Sequence, residues 1–519
     1  MARGVKVIAA EAAAELIKDG AVVTVSSSSG LACPDKVLAA IGERYAQWGH
    51  PWNITTIHPI AAGDMYGIKG VDHIARKGLL KRIIGGSYPS GPSSMASPRI
   101  WQMIDQGEVE AYNVPSGLLY DMHREVAAKR PGVLTKVGLD TFVDPRRNGS
   151  KMNAATTEDI LSVVSFNGEE WLHLKNIAPD VAIIRGTTAD EYGNLSMEHE
   201  GAYLGVIEQA LAARNHGGIV IAQVKRLTAK GAIPTQRVHV PSSLVDYVVV
   251  DPDQKQTTQT DYDPAISGET RKPLSDFESQ PWSTDLIIAR RAAQELRDGS
   301  VVNLGFGIAA SVPQVLIDQG KADAVNWVIE QGAVGGVPLT GFAFGCAANA
   351  DAILPSPQQF TYFQGGGFDC SLLSFMEVDA AGNVNVSRLS AKPHVTAGCG
   401  GFVDITSHAR KLVFLGYFTA GGLQLDVDDG RLVIRSEGRL PKFVSEVEHV
   451  TFSGRMAGLR AQDVTYITER CVIKLLDGRL TVTEVAPGID LKKDILDRSK
   501  VDLRVSEHLR EMDRACFVK

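Results

Sequence analysis

Cysteine is scarce and scattered in this chain: Cys33, Cys346, Cys370, Cys399, Cys471 and Cys516 fall five to one in the second half and form no Cys-x-x-Cys pair. That pattern argues against a zinc ribbon or a disulfide framework and predicts reduced thiols in a cytoplasmic protein. Long apolar runs are missing as well, so no membrane span is expected. The opening from Met1 meets an acid at Glu11, too soon for a secretion signal. Basic clusters are absent and the net charge is −7, which removes nucleic acid as an expected partner. Without a Gly-x-x-x-x-Gly-Lys phosphate loop or a Gly-x-Ser-x-Gly elbow, ATP hydrolysis and ordinary serine-esterase chemistry have no support.

What remains is an ordinary globular composition, 44% hydrophobic and 22% charged over 519 residues, long enough for two or three domains. The chain echoes itself. Residues 13–38 align without a gap on 292–317: Ala13-Ala14 meets Ala292-Ala293, Asp19-Gly20 meets Asp298-Gly299, Val22-Val23 meets Val301-Val302, and Pro34 meets Pro313. Each copy reads as a helix ending near Lys18 or Arg297, a glycine turn, an apolar strand, and a small-residue loop leading to proline at a helix start. A later pair, Asp190-Glu191-Tyr192-Gly193-Asn194-Leu195 and Asp379-Ala380-Ala381-Gly382-Asn383-Val384, repeats in the same order but at a shorter spacing, so the first half must carry extra residues between its echoes. Taken singly, Asp-x-x-Gly-Asn is a hairpin turn; two echoes in one order favour duplication.

Val181–Ile184, Gly218–Ala222, Val248–Val250 and Leu412–Leu415 read as strands buried on both faces, and Val37, Leu38, Ile41 and Tyr45 form a helix-spaced apolar stripe. We therefore expect two tandem α/β domains with mostly parallel sheets, at 1–272 and 283–519, joined by a polar surface linker at about 252–282.

Within this frame Asn326 to Gly336 stands out. Val328 and Ile329 end a buried strand, and Glu330 follows where the chain breaks into a turn containing Gly332, Gly335 and Gly336. A carboxylate there is costly unless paired or working, and glycines admit a ligand closely. The alternative is a strand-end glutamate facing water. Gly305-Phe306-Gly307-Ile308-Ala309-Ala310, with Glu330 beyond it, imitates a dinucleotide fingerprint, but its first-half counterpart Ser26-Ser27-Ser28-Ser29-Gly30 lacks the glycines. Thr396-Ala397-Gly398-Cys399-Gly400-Gly401-Phe402 is a second glycine loop, able to turn successive N–H groups toward an oxyanion or simply to make a tight turn. Gly365-Gly366-Gly367 is a weaker case. Met197-Glu198-His199-Glu200 hints at a metal, but adjacent residues do not converge on one ion, and no metal site is expected.

Taken with Thr141–Arg146, Val249–Gln254, Gly382–Ser387, Ile467–Arg470 and Ala486–Leu491, these residues make the chain resemble, over nearly its whole length, the family I coenzyme A transferases of the single-chain short-chain acyl-CoA type. The resemblance implies that Glu330 is the catalytic glutamate, attacking an acyl-CoA thioester and passing through a glutamyl-CoA thioester with ping-pong kinetics. It implies an oxyanion or CoA-binding role for Gly398, Gly400 and Gly401, with Gln331, Gly332, Gly365 and Gly366 as substrate-pocket candidates. In Asn113-Val114-Pro115-Ser116-Gly117, Ser116 stands where the family commonly has an oxyanion-site glutamine, which opens bulkier acids or hydrolysis as alternatives. Gly85-Gly86-Ser87-Tyr88-Pro89-Ser90-Gly91-Pro92 is placed by order alone near the same pocket. Coenzyme A is expected as a substrate, not a resident cofactor, with small carboxylic acids as its partners and a homo-oligomer as the assembly. A non-catalytic ligand-binding protein on the same scaffold is the remaining alternative.

Overall fold

The computed structural model describes residues 4–64, 66–90 and 96–519; the first three residues of the opening segment, and Gly91 and Pro92 of the glycine-rich stretch, lie outside the described residues. The first half is built on eight parallel strands in the order Lys6–Val7, Tyr247–Val250, Ile219–Val224, Val181–Arg185, Val22–Val25, Ile54–His58, Leu80–Gly85 and Glu110–Asn113. The second has ten strands around a parallel centre of Val325–Val328, Ser300–Leu304, Cys370–Ser374, Lys411–Leu415 and Asp463–Ile467. Short antiparallel strands flank it, among them Cys471–Leu476 beside Asp463–Ile467.

Continuous apolar runs become central strands because both sheet faces are covered. In the first half Asp35–Trp48 lays Val37, Leu38 and Ile41 on one face with Val23, Val25 and Ile54. That helix stops at Gly49, whose φ of +71° ends it in the left-handed region. Ser116–Ala127 covers the other face with Leu118, Leu119 and Met122 against Ile57 and Ile84.

The duplication is physical. Val181–Arg185 and Cys370–Ser374 keep the spacing of the later echo and each pairs with the first-echo strand of its own half, Val22–Val25 or Ser300–Leu304. The two Asp-x-x-Gly-Asn segments are the same turn: Asp190 Oδ1 accepts from the Tyr192 and Asn194 N–H groups at 3.0 and 2.9 Å, and Asp379 Oδ1 from those of Ala381 and Asn383 at 3.0 and 3.1 Å. The first half's extra chain supplies the strands Leu80–Gly85 and Glu110–Asn113 and the hairpin of Leu161–Phe166 and Glu169–Lys175.

The halves meet about a pseudo-twofold relation. Pro115-Ser116 and Pro355-Ser356 open the helices Ser116–Ala127 and Ser356–Gln364, which bring Tyr120 and Phe360 to 5.7 Å between ring centroids. The Ser116 N–H donates to the Gly400 carbonyl at 3.0 Å, and the Ser356 N–H to the Leu204 carbonyl at 3.1 Å. Gly400 and Leu204 share a left-handed backbone, with φ of +50° and +53°. Ala32, Ile60, Tyr120 and Leu204 join Phe360, Phe363 and Phe414 in one apolar cluster, each large side chain contributing about 1.5–3 kcal/mol.

Sequence alone puts 252–282 on the surface, and the structure corrects its first part. Gln254, Gln256 and Thr257 are buried. Gln254 Nε2 donates to the Gly186 carbonyl at 2.9 Å and Gln256 Nε2 to that of His199 at 2.7 Å. Ile266 packs with Leu31 and Cys346. Polar amides go inside when backbone carbonyls satisfy them, so polarity was a poor guide here. Gly268 to Asp276 are exposed, as expected.

Candidate active site

Strand Val325–Val328 delivers Ile329 into the core and leaves Glu330 at the carboxyl end of the sheet, facing the first half. The backbone on either side is held by the helix Ser356–Gln364: Gln359 Nε2 donates to the Ile329 carbonyl at 3.1 Å and Ser356 Oγ to the Gln331 carbonyl at 3.2 Å. Glu330 lies deep among protein atoms yet keeps part of its surface accessible, as a group on a cleft floor does. Burial lifts its carboxyl to about 7, and the Gly401 N–H opposes that rise only in part. Among the described residues no arginine or lysine neutralises it.

The glycine loop faces this carboxylate. A methyl on Gly401 would stand 2.7 Å from Glu330 Oε2 and 2.7 Å from Phe360 Cε1, and one on Gly400 3.7 Å from Glu330 Oε1. Asn113 fastens the loop to the first half: its Oδ1 accepts from the Cys399 N–H at 2.9 Å and its Nδ2 donates to the Gly86 carbonyl at 2.7 Å. Gly398, with φ of +89°, lets Asn113 in, since a methyl there would sit 2.9 Å from Asn113 Nδ2. The Tyr88 N–H donates to the Ala397 carbonyl at 2.7 Å, so Gly85–Tyr88 does border the loop.

Several expected site residues make close packing contacts or hydrogen bonds of their own. The Gly400 N–H is already bonded to the Gly86 carbonyl at 2.7 Å, which leaves Gly401 as the loop donor turned to Glu330. Gly332, at φ +122°, is a glycine because a methyl would fall 1.9 Å from the Leu354 carbonyl oxygen, a demand of hairpin packing. Gly365 and Gly366 end the helix Ser356–Gln364, and a methyl on Gly366 would meet the His408 carbonyl at 2.4 Å. Gln331 reaches across to the first half, its Nε2 donating to Ser28 Oγ at 3.2 Å. Ser116 is fully buried beside Gly400, and its Oγ has no hydrogen-bond partner among the described residues.

Met197–Glu200 is spent on ion pairs: Glu198 with Arg226 at 2.8 Å and Glu200 with buried Arg185 at 3.0 Å. No cluster of potential metal ligands occurs among the described residues. The loop Gly305–Ala310 does precede a helix, yet Glu330 is turned to Gly401, not held free for a ribose.

Sequence reading passed over Gln359, Ser356 and Asp404, and took Asn113 only as part of a motif. The repeated Pro-Ser at 115–116 and 355–356 was the available signal for Ser356. The arrangement provides a partly accessible glutamate with its basicity raised by burial and a backbone N–H beside it, which suits nucleophilic attack on an activated acyl carbon.

Comparison with known proteins agrees. Residues 6–251 match the Coenzyme A transferase family. Over 522 residues the chain is 41% identical to the caffeate CoA-transferase of Acetobacterium woodii, covering 99% of this chain and 97% of that one. Over 516 residues it is 39% identical to the acetate CoA-transferase YdiF of Escherichia coli, covering 99% and 95%. A crystal structure of Escherichia coli YdiF as a thioester complex with CoA superposes with a TM-score of 0.90 at 38% identity, covering 99% of this chain and 96% of that one. With this likeness running end to end through the same two-domain architecture, the chain belongs to the coenzyme A transferase family.

Proposed function

We propose that Glu330 is the nucleophile of this CoA-transferase. The enzyme moves CoA from an acyl-CoA to a carboxylic acid by a ping-pong route, so CoA is a substrate and not a resident cofactor. A Glu330 oxygen attacks the thioester carbonyl, the C–S bond breaks, and CoA thiolate leaves a mixed anhydride. The thiolate then attacks the Glu330 carbonyl carbon, the donor acid departs as carboxylate, and a glutamyl-CoA thioester remains. An acceptor carboxylate reverses both steps. Each tetrahedral intermediate places charge on oxygen, and removing one hydrogen-bond donor to such an oxygen costs about a hundredfold to a thousandfold. Gly401 N–H is our donor, and Ser116 Oγ, buried and unbonded, is the second.

The observation that supports this reading is the unneutralised Glu330 carboxylate against the Gly401 backbone. Incubation with an acyl-CoA followed by peptide mass analysis tests it: a CoA-sized adduct is expected on the Glu330 peptide, and its absence with every donor tried overturns the assignment. Acceptor-independent CoA release in the same assay would instead mark a hydrolase. The reading includes a cytoplasmic setting, supported by six free, buried cysteines, and a homo-oligomer, which sedimentation would test. No helix among the described residues is long and apolar enough to cross a membrane.

A further inference from the structure

Asp404 follows Gly401 by three residues in the helix Phe402–His408 and is fully buried. One of its oxygens accepts from the Gly117 N–H at 3.0 Å, across the boundary between halves, and the other from Gln364 Nε2 at 3.0 Å. Gln364 Nε2 also reaches Asp121 Oδ2 at 3.1 Å. The fit is close, since a methyl on Gly117 would stand 2.4 Å from Asp404 Oδ1. Gly117 lies in the first turn of the twelve-residue helix Ser116–Ala127, so this carboxylate fastens the positive end of that helix to the segment beginning at Gly401.

The pseudo-twofold relation supplies a control within the molecule. As Gly401 precedes Asp404, Gly205 precedes Glu208, which is also buried. As Gly117 follows Ser116, Pro357 follows Ser356, and proline has no N–H to give. A backbone N–H can bond the carboxylate on the Glu330 side, and proline removes it on the other. A purely architectural clasp would serve both sides alike.

We propose that Asp404 is a positioning residue that holds the Gly400–Gly401 segment against Glu330 and whose charge sets the upper pH limit of CoA transfer. The proposal rests on Glu330 being the nucleophile. Burial lifts the Asp404 carboxyl to about 8, with Gln364 and Gly117 opposing and Asp121 and Glu330 adding to the rise. Below that pH it is neutral and still accepts both N–H groups through its remaining lone pairs. Above it, a second negative charge is added near that of Glu330 and opposes the developing oxyanion. The other ionisable groups around it do not cancel that charge. Arg124 on Ser116–Ala127 is paired with Asp121, the Cys399 thiol is pushed up by burial, and His408 at the far end of the same helix is pushed down by burial.

The test measures kcat and KM for wild type, Asp404→Asn, Asp404→Ala and Glu330→Gln across neutral and alkaline pH. Wild type should lose about tenfold in kcat/KM per pH unit above about 8. Asp404→Asn, which keeps an acceptor for Gly117 and cannot ionise, should flatten that fall. Asp404→Ala should lower kcat by about tenfold or more with KM moved less, because a displaced donor acts on the transition state, and Asn should restore most of it. An alkaline fall unchanged in Asp404→Asn, or variants that shift only Tm, overturns the proposal. If Asp404→Ala does not fold, the Asn profile alone decides. Turnover and CoA capture surviving in Glu330→Gln would instead sink the nucleophile assignment, whatever Asp404 does.

Discussion

Gly401 and Glu330 are in contact so close that a methyl on the glycine would lie 2.7 Å from Glu330 Oε2. Phe360 closes the other side at the same distance, so neither neighbour can yield freely. Gly401→Ala should therefore lower kcat by about a hundredfold, as loss or displacement of one oxyanion donor does, and cost about 1–3 kcal/mol from overpacking. Steady-state kinetics beside thermal unfolding would check both parts.

Glu330 carries a pH signature of its own. Burial raises its carboxyl from 4.5 to about 7, so the folded state holds the proton more tightly than the unfolded chain. The cost to stability is absent below the unfolded value, grows as pH rises through this window, and reaches at most about 3 kcal/mol above 7. Glu330→Gln should thus raise Tm at pH ~8 and leave it nearly unchanged at pH ~4. Activity of the wild type should rise with pH to about 7, since only the ionised carboxylate attacks.

Ser116 separates stability from catalysis. Its buried Oγ lacks a partner among the described residues, and such a group costs about 1–3 kcal/mol. Ser116→Ala should be neutral or stabilising in denaturant titrations while reducing kcat by about tenfold to a hundredfold if the hydroxyl serves the oxyanion. An unchanged kcat would remove Ser116 from the site.

Gly332 should behave in the opposite way. Its alanine variant would place a methyl 1.9 Å from the Leu354 carbonyl oxygen at φ +122°. A loss of about 2–4 kcal/mol is expected from strain and clash, with CoA capture by Glu330 persisting below the lowered Tm. Loss of capture in a fully folded variant would instead place Gly332 in the pocket.

Local signals determined much of this protein. The gapless echo, continuous apolar strands and Asp-x-x-Gly-Asn turns act over a few residues, where strand period, turn dihedrals and helix stops leave a direct mark on sequence; Glu330 was legible as a carboxylate placed after a buried strand. Which glycines face that carboxylate was not, because a glycine permits close approach without saying what approaches. Only tertiary packing decided that Gly401 meets Glu330, Gly332 meets Leu354 and Gly366 meets His408 within the second half, and that the Gly400 N–H goes across to Gly86. Asp404 stayed hidden for the same reason: its partner Gly117 is 287 residues away, and a hydrogen bond of that span exists only once two sheets have folded and docked.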